Sequence, residues 1–211
     1  MNQPTTSPSN AVALALTGAS GAAYGLRLLE CLLAAGKTVY LMVSAPGLMV
    51  IAEETDLQLP GRPAEMQVYL SGRYQAREGQ LHVLGRDQWY SPPASGSSAP
   101  GSMVVCPCTS GTLSAIANGA SDNLIERAAD VALKEQRKLI LVPREMPLSA
   151  IHLENMLKLA RLGVVILPAS PGFYHHPRRV EDLVDFVVAR VLEHLGVEQR
   201  LIPPWAANKG A

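Results

Sequence analysis

The start of the chain limits the fold most strongly. A wholly apolar run, AVALAL at residues 11–16, is followed at once by the turn sequence TGASG. A short apolar run bounded by turn residues is typical of a strand buried on both faces, as in a parallel sheet. The next segment, Tyr24–Ala35, carries leucines at helical spacing and ends before Gly36, a helix stop signal. Strand, turn and helix in this order predict a βαβ unit.

The same alternation continues to the end of the chain. Further strands are predicted at Thr38–Val43, Gln80–Leu84, Met103–Cys106, Leu139–Val142 and Val164–Leu167. Further helices are predicted at Leu48–Glu53, Met66–Ala76, Gly111–Ala117, Asn123–Gln136, Ser149–Arg161 and Val180–Leu195. We therefore predict an α/β fold, a doubly wound parallel sheet of about six strands in a single domain over residues 11–205. Residues 1–10 are predicted to be a disordered lead-in and residues 206–211 a flexible tail.

Composition excludes several classes of protein. The 18 Lys and Arg residues balance 18 Asp and Glu residues, so the chain is a poor candidate for binding nucleic acid. The hydrophobic fraction of 48% is too high for a disordered chain, and no apolar run is long enough to span a membrane. Charged residues make up only 17%, against roughly 25% in soluble proteins, which points to surface buried between subunits of a homo-oligomer.

The cysteines and the amino terminus indicate a compartment. Three cysteines are too few and too scattered for a disulfide framework, so a reducing compartment is expected. The first ten residues contain no Lys or Arg and so lack the basic region of a signal peptide. We therefore expect a cytoplasmic protein that does not associate with membranes.

Turn residues at the carboxyl ends of the strands are the first candidates for a ligand site, because doubly wound sheets bind ligands there. After the first strand, Gly18 and Gly21 allow a tight turn, and the helix start beyond favours a phosphate. After the second strand stands Ser44, where a dinucleotide fold would usually carry an acidic residue. This argues for a mononucleotide phosphate rather than NAD, although Ser44 also suits a plain helix cap.

A cluster of hydroxyl groups follows the fourth strand. Thr109, Ser110 and Thr112 stand at a helix start and predict a second cradle for an anion or a ring edge. Cys106 and Cys108 lack a second pair or a nearby histidine, so we expect buried, inert thiols and no metal site.

Several charged residues admit two interpretations from spacing alone. Glu53 and Glu54 either form a solvated face or place one carboxylate toward the site as a proton carrier. Arg144–Glu145 is either a local ion pair or a phosphate site with a proton acceptor. Arg127 and Lys134 lie on one helix face, either as surface ion pairs or as site cations. Arg190 lies on an apolar helical stripe, where it either extends to solvent or meets a buried anion.

Longer strings carry a resemblance to a known family. The segments are TGASGAAYGLRLL, PPASGSSAP, MVVCPCTSGTLSAIANGASDNLIERAADVALKE, LVPREMPLSAIHLENMLKL and ILPASPGFYH. Together they resemble the UbiX family of flavin prenyltransferases over residues 11–205. The resemblance implies a Rossmann-like or flavodoxin-like domain assembled as a dodecamer. It implies transfer of the dimethylallyl group of dimethylallyl monophosphate to reduced FMN without a metal, with new bonds at flavin N5 and C6. The prenylated FMN would serve a UbiD-type decarboxylase, often in ubiquinone synthesis.

The resemblance also assigns site residues position by position. Those that match FMN-binding positions are Gly18, Ala19, Ser20, Ser44, Thr109, Ser110, Gly111, Thr112 and Arg144. Those that match the prenyl and phosphate site are Tyr174, Arg190, Lys134, Ser95, Arg127 and Trp89. Those expected to be catalytic are Ser20, Glu54, Glu145 and Tyr174.

Two alternatives stay open beside this resemblance. One is a flavin-dependent cysteine decarboxylase of the same fold, although the sequence Pro143–Pro147 here replaces the PAMN-type motif of those enzymes. The other is a carrier that binds FMN without transforming it, which would need no cations for a second phosphate.

Overall fold

Strands and helices alternate through the computed structural model, which describes residues 10–203 and 205. The strands are β1 (Ala11–Leu16), β2 (Thr38–Val43), β3 (Leu81–Leu84), β4 (Ser102–Cys108), β5 (Lys138–Pro143) and β6 (Val165–Ile166). The helices are α1 (Ala22–Ala34), α2 (Ala45–Glu54), α3 (Pro63–Arg73), α4 (Ser110–Ala117), α5 (Leu124–Lys134), α6 (Ala150–Arg161) and α7 (Val180–Leu195). Apart from Asn10, the predicted lead-in and tail at residues 1–10 and 206–211 lie outside the described residues.

The six strands form one parallel sheet in the order β3-β2-β1-β4-β5-β6. This confirms the predicted α/β class. Of the Rossmann-like and flavodoxin-like folds that the resemblance implies, the strand order is that of the Rossmann fold. The chain leaves the centre in opposite directions from β1 and β4, which are neighbours. Ligand sites in such sheets lie at this point, outside the carboxyl ends of the strands.

The helices cover the sheet on both faces, each with its own apolar cluster. Helices α1, α2, α3 and α7 pack on one face, with Leu29, Leu70 and Val188 fully buried there. Helices α4, α5 and α6 pack on the other face, where Ala129 and Leu159 are fully buried. Small and aliphatic side chains fill both layers, as the low aromatic content requires.

Several elements differ in length from the prediction for local reasons. Helix α2 begins three residues early because the Ser44 side chain accepts the Gly47 amide and Pro46 suits the first turn. Helix α5 ends early, before Gln136, which takes a left-handed φ of 52°. Strand β4 continues past Pro107, with a shift in register between Val105 and Cys108.

The cysteines match their prediction, since all three are free and Cys106 and Cys108 are buried. Burial raises the pKa of the Cys108 thiol to about 12, which leaves it protonated and unreactive. Within residues 10–203 and at 205, no cluster of His, Cys, Asp or Glu is arranged to hold a metal ion. No helix in the same part of the chain is long and apolar enough to cross a membrane.

Candidate active site

A cavity of about 470 Å³ opens at the carboxyl edge of the sheet, beside the β1–β4 switch point. This volume lies within the usual range for small-molecule and cofactor sites. The polar lining comes from the ends of β1, β2 and β4 and from the start of α5, through Thr17, Ser44, Thr109, Thr112 and Asn123. The apolar lining includes Met42, Leu48, Pro63, Met66, Val83, Leu84 and Ile125. The lining therefore offers both polar and apolar contacts to a ligand.

The Thr17 hydroxyl ties the ends of β1 and β4 together. The side chain is 3% exposed, and its hydroxyl donates to the Pro107 carbonyl at 2.8 Å. The same oxygen accepts the Thr109 amide at 2.9 Å. Because both loops line the cavity, one buried hydroxyl fixes the spacing between two of its walls.

Three helices begin at the cavity, each with a polar side chain at its cap. The Ser44 hydroxyl accepts the Gly47 amide at 3.0 Å, and the Thr109 hydroxyl accepts the Thr112 amide at 3.0 Å. The Asn123 side chain caps α5 by accepting the Glu126 amide at 3.1 Å. The amino ends of α2, α4 and α5 therefore converge, and each carries a partial positive charge that favours an anion.

Gly18 brings the β1 and β2 loops into close contact. A Cβ at Gly18 would stand 2.4 Å from the Cβ of Pro46, a distance that real atoms do not adopt. The glycine therefore allows the floor of the cavity to close against α2, and any side chain would push the two loops apart.

A carboxylate of the chain itself occupies the start of α1, where the sequence predicted a phosphate. Glu54 accepts the amides of Gly21 and Ala22 at 2.8 and 2.9 Å. The first amides of this helix are thus bound to a carboxylate of the chain, and the phosphate expected there stays a prediction. Glu54 itself is exposed, as the solvated-face interpretation expected, and it also binds these two amides.

Ser20, Glu54 and Arg144 form one polar cluster at this helix start. Arg144 donates through Nε to the Ser20 carbonyl at 3.2 Å, which links the loop after β5 to the loop after β1. Partial desolvation raises the pKa of the Glu54 carboxyl, but hydrogen bonds from Ser20, Gly21 and Ala22 and the nearby Arg144 cation outweigh it. The pKa of Glu54 therefore lies below its usual value, so the carboxyl is ionised at neutral pH.

Tyr174 belongs to an aromatic cluster on the α7 side of the sheet. Its ring meets Phe186 edge-on at a centroid distance of 5.5 Å and Trp205 edge-on at 4.7 Å. Arg190 lies four residues beyond Phe186, and so on the same face of α7, where it is exposed and paired with Glu193. Tyr174 therefore packs against the face of α7 that also carries Arg190, and their shared role stays a prediction.

Ser95, Arg127 and Lys134 form a separate group on the opposite face of the sheet. Arg127 donates to the Ala94 carbonyl at 3.1 Å and pairs with Asp130 at 2.8 Å. A Cβ at Gly96 would stand 2.9 Å from Lys134 Nζ, so the loop that carries Ser95 lies against the end of α5. These residues share one surface, and the whole sheet separates them from Arg190.

The remaining predicted residues are distributed around the same edge. Gly18, Ser44, Thr109 and Thr112 line the cavity. Ala19, Ser110, Gly111 and Glu145 are the direct chain neighbours of residues in the cavity or the polar cluster, and Trp89 is half exposed on the loop after β3. Sequence reasoning missed Arg86 and Asn123, which also line the cavity. Their positions in the sequence could have revealed them, because Arg86 follows a strand and Asn123 precedes a helix at the same edge of the sheet.

Two sequence comparisons with known proteins point to the same family. The Flavoprotein family model matches residues 1–192. The flavin prenyltransferase UbiX of Pseudomonas aeruginosa is 61% identical over 194 residues, which cover 92% of this chain and 93% of that protein.

Two solved structures share the fold along nearly the whole chain. The crystal structure of AnUbiX (PadA1) in complex with FMN and dimethylallyl pyrophosphate superposes with a TM-score of 0.82 at 37% identity, covering 92% of this chain and 96% of that one. A dodecameric FMN-dependent UbiX-like decarboxylase from Escherichia coli O157:H7 superposes with a TM-score of 0.79 at 40% identity, covering 92% and 98%.

Proposed function

The chain belongs to the Flavoprotein family and, within it, to the UbiX flavin prenyltransferases, and from this premise we propose which residues hold its two substrates. The enzyme transfers a dimethylallyl group from its phosphate ester to reduced FMN. The proposal rests above all on one observation, the cavity at the switch point on which three helix starts converge. The donor set there fits a flavin mononucleotide, because it offers amides and hydroxyls to a phosphate and aliphatic walls to a ring.

The flavin site follows from this geometry. Ser44 and Thr109, which cap α2 and α4, bind the phosphate half together with Thr112 in the first turn of α4. Ala19, Ser20 and Arg144 hold the reactive edge of the ring, beside the Glu54 carboxylate. When bound, reduced FMN supplies the nucleophilic N5 and C6 atoms to which the prenyl carbons become attached.

Departure of the phosphate needs several cations, because a phosphate ester without a metal is a poor leaving group. Lys134, Arg144 and Arg190 supply them, and the Tyr174 hydroxyl donates a further hydrogen bond as the carbon–oxygen bond breaks. Trp89 walls the prenyl group and stabilises positive charge on the allylic carbons through its ring face.

As the two bonds form, the flavin gives up one proton from N5 and one from C6. The central carbon of the prenyl double bond takes up one proton, and the departing phosphate takes up the other. Ser20 donates its hydroxyl to Glu54, so its oxygen is free to accept the N5 proton. Glu54 is ionised and receives that proton in turn. Glu145, exposed beside Arg144, accepts the C6 proton.

The phosphate pocket is proposed to form between chains. Lys134, Arg127 and Ser95 lie on one face of the sheet and Arg190 on the other, so one chain alone does not surround one phosphate. Helix α6 and the loop before it also expose a series of large apolar side chains, namely Met146, Leu148, Ile151, Leu153, Leu157 and Leu162. A surface of this kind is typical of subunit contacts. We therefore propose a homo-oligomer with shared sites, a dodecamer like the related E. coli protein.

The wider setting follows from the reaction. Prenylated FMN is proposed to serve a UbiD-type decarboxylase as its cofactor. Three free thiols fit a reducing compartment, so the cytoplasm is the proposed location.

The activity is tested with purified protein, reduced FMN and dimethylallyl monophosphate under anaerobic conditions. The expected product is a flavin heavier by one prenyl unit in mass spectrometry. A parallel reaction with dimethylallyl pyrophosphate shows which ester is preferred. Flavin that binds tightly and is recovered unchanged with both esters would contradict the proposal and favour a carrier.

A further inference from the structure

The cavity lining contains one charged residue among the residues that the structure describes. Of those that contribute to its walls, only Arg86 carries a charge, and all the others are apolar or neutral polar. Arg86 belongs to the segment between β3 and β4, in which the family resemblance assigns Trp89 and Ser95 but gives no role to Arg86. Arg86 therefore lines the cavity without an assigned role.

The backbone of Arg86 is fixed at the start of α5. The Leu124 amide donates to the Arg86 carbonyl at 2.9 Å, directly beside the Asn123 cap. Arg86 therefore stands at the end of the cavity where helix starts already favour an anion.

The side chain of Arg86 is available to a ligand. It is 72% exposed, and its Nε lies 4.0 Å from the carboxylate of Asp87, which is 74% exposed. An exposed ion pair at this distance contributes little to stability, so an anion that binds the guanidinium more strongly displaces Asp87 readily.

A flavin phosphate brings two negative charges into the cavity, and neutral donors alone compensate them poorly. Arg144 does not contribute to the cavity lining, since it donates to Ser20 beside Glu54. A guanidinium matches phosphate with two parallel hydrogen bonds. We propose, on the basis of the proposed function, that Arg86 binds the phosphate of FMN and makes the site select FMN over riboflavin.

The test compares two flavins that differ only in the phosphate. Dissociation constants for oxidised FMN and riboflavin are measured by quenching of flavin fluorescence, for the wild type and for Arg86→Gln. The matched control is Arg200→Gln, which removes the same charge at a distant, 89% exposed position. We expect Arg86→Gln to weaken FMN binding about tenfold or more, as expected for a lost charged hydrogen bond. Riboflavin binding should stay within about twofold of wild type.

The outcomes separate this proposal from the one on which it rests. The role of Arg86 is overturned if Arg86→Gln binds FMN as tightly as Arg200→Gln does. It is also overturned if Arg86→Gln weakens the binding of both flavins equally. Riboflavin binding also reports whether the variant is folded, and Arg86→Lys should recover part of the FMN affinity because it restores a positive charge. If the wild type binds neither flavin, the proposed function itself fails.

Discussion

Replacing Thr17 by valine tests whether a buried hydroxyl sets the geometry of the cavity. Valine has nearly the same shape, so the change removes the hydroxyl and leaves the packing. The Thr109 amide then loses its acceptor, whereas the Pro107 carbonyl still receives the Thr17 amide at 3.2 Å. One partly buried donor is left without a partner.

The expected cost follows from that single donor. An unpaired buried group destabilises by about 1–3 kcal/mol, so we expect a loss of about 2 kcal/mol in the free energy of unfolding. For a domain of this size the melting temperature should fall by about 4–8 °C. FMN binding should weaken as well, because the loop that begins at Thr109 is released from β1.

Denaturant unfolding and FMN titration check this prediction, with Thr17→Ser as the control. Serine keeps the hydroxyl and loses one methyl group, which costs about 1 kcal/mol, so it should retain wild-type FMN affinity. The reasoning is refuted if the free energy of unfolding of Thr17→Val lies within about 0.5 kcal/mol of the wild-type value and the variant binds FMN equally well.

Three further variants test other parts of the structure. Gly25→Ala would place a Cβ 2.3 Å from the Cys106 carbonyl oxygen, so overpacking should cost about 1–3 kcal/mol in chemical unfolding, whereas Gly72→Ala, with open space around it, should not destabilise. Glu54 has a lowered pKa in the folded state, so its contribution to stability is present above the usual carboxyl pKa and lost as the pH falls through the folded value. Unfolding curves for Glu54→Gln should therefore lose less stability in acid than wild type does, and parallel curves would contradict this. Arg190→Ala should abolish prenyl transfer and leave FMN binding intact, and wild-type rates would remove Arg190 from the phosphate site.

Hydrophobic pattern alone predicted most of the sheet and several helices. Strand β1 and helix α7 have the predicted bounds, because a fully apolar run and a long amphipathic stripe are unambiguous signals. Strand β4 was predicted too short because Pro107 lacks the amide that continuous pairing requires. Local sequence does not reveal that pairing resumes beyond it.

The site was predictable where turn chemistry identifies it and not where tertiary contacts decide. Ser44 and Thr109 are recognisable as residues at strand ends, and both line the cavity. Glu54 was ambiguous because its partners, the first amides of α1, lie 32 and 33 residues away in the chain. Helical periodicity shows which face of a helix is buried but not which face of the sheet it covers. The separation of Lys134 from Arg190 therefore emerges only from the fold.

Subunit complementation tests the shared phosphate site most directly. Lys134→Ala and Arg190→Ala are prepared separately, each expected to be inactive, and are then unfolded and refolded together so that mixed oligomers form. Each variant refolded alone serves as the control. We predict that the mixture regains prenyl transfer, because some sites then combine an intact Lys134 from one chain with an intact Arg190 from another. A mixture that forms oligomers and stays as inactive as its parents would contradict a site shared between chains.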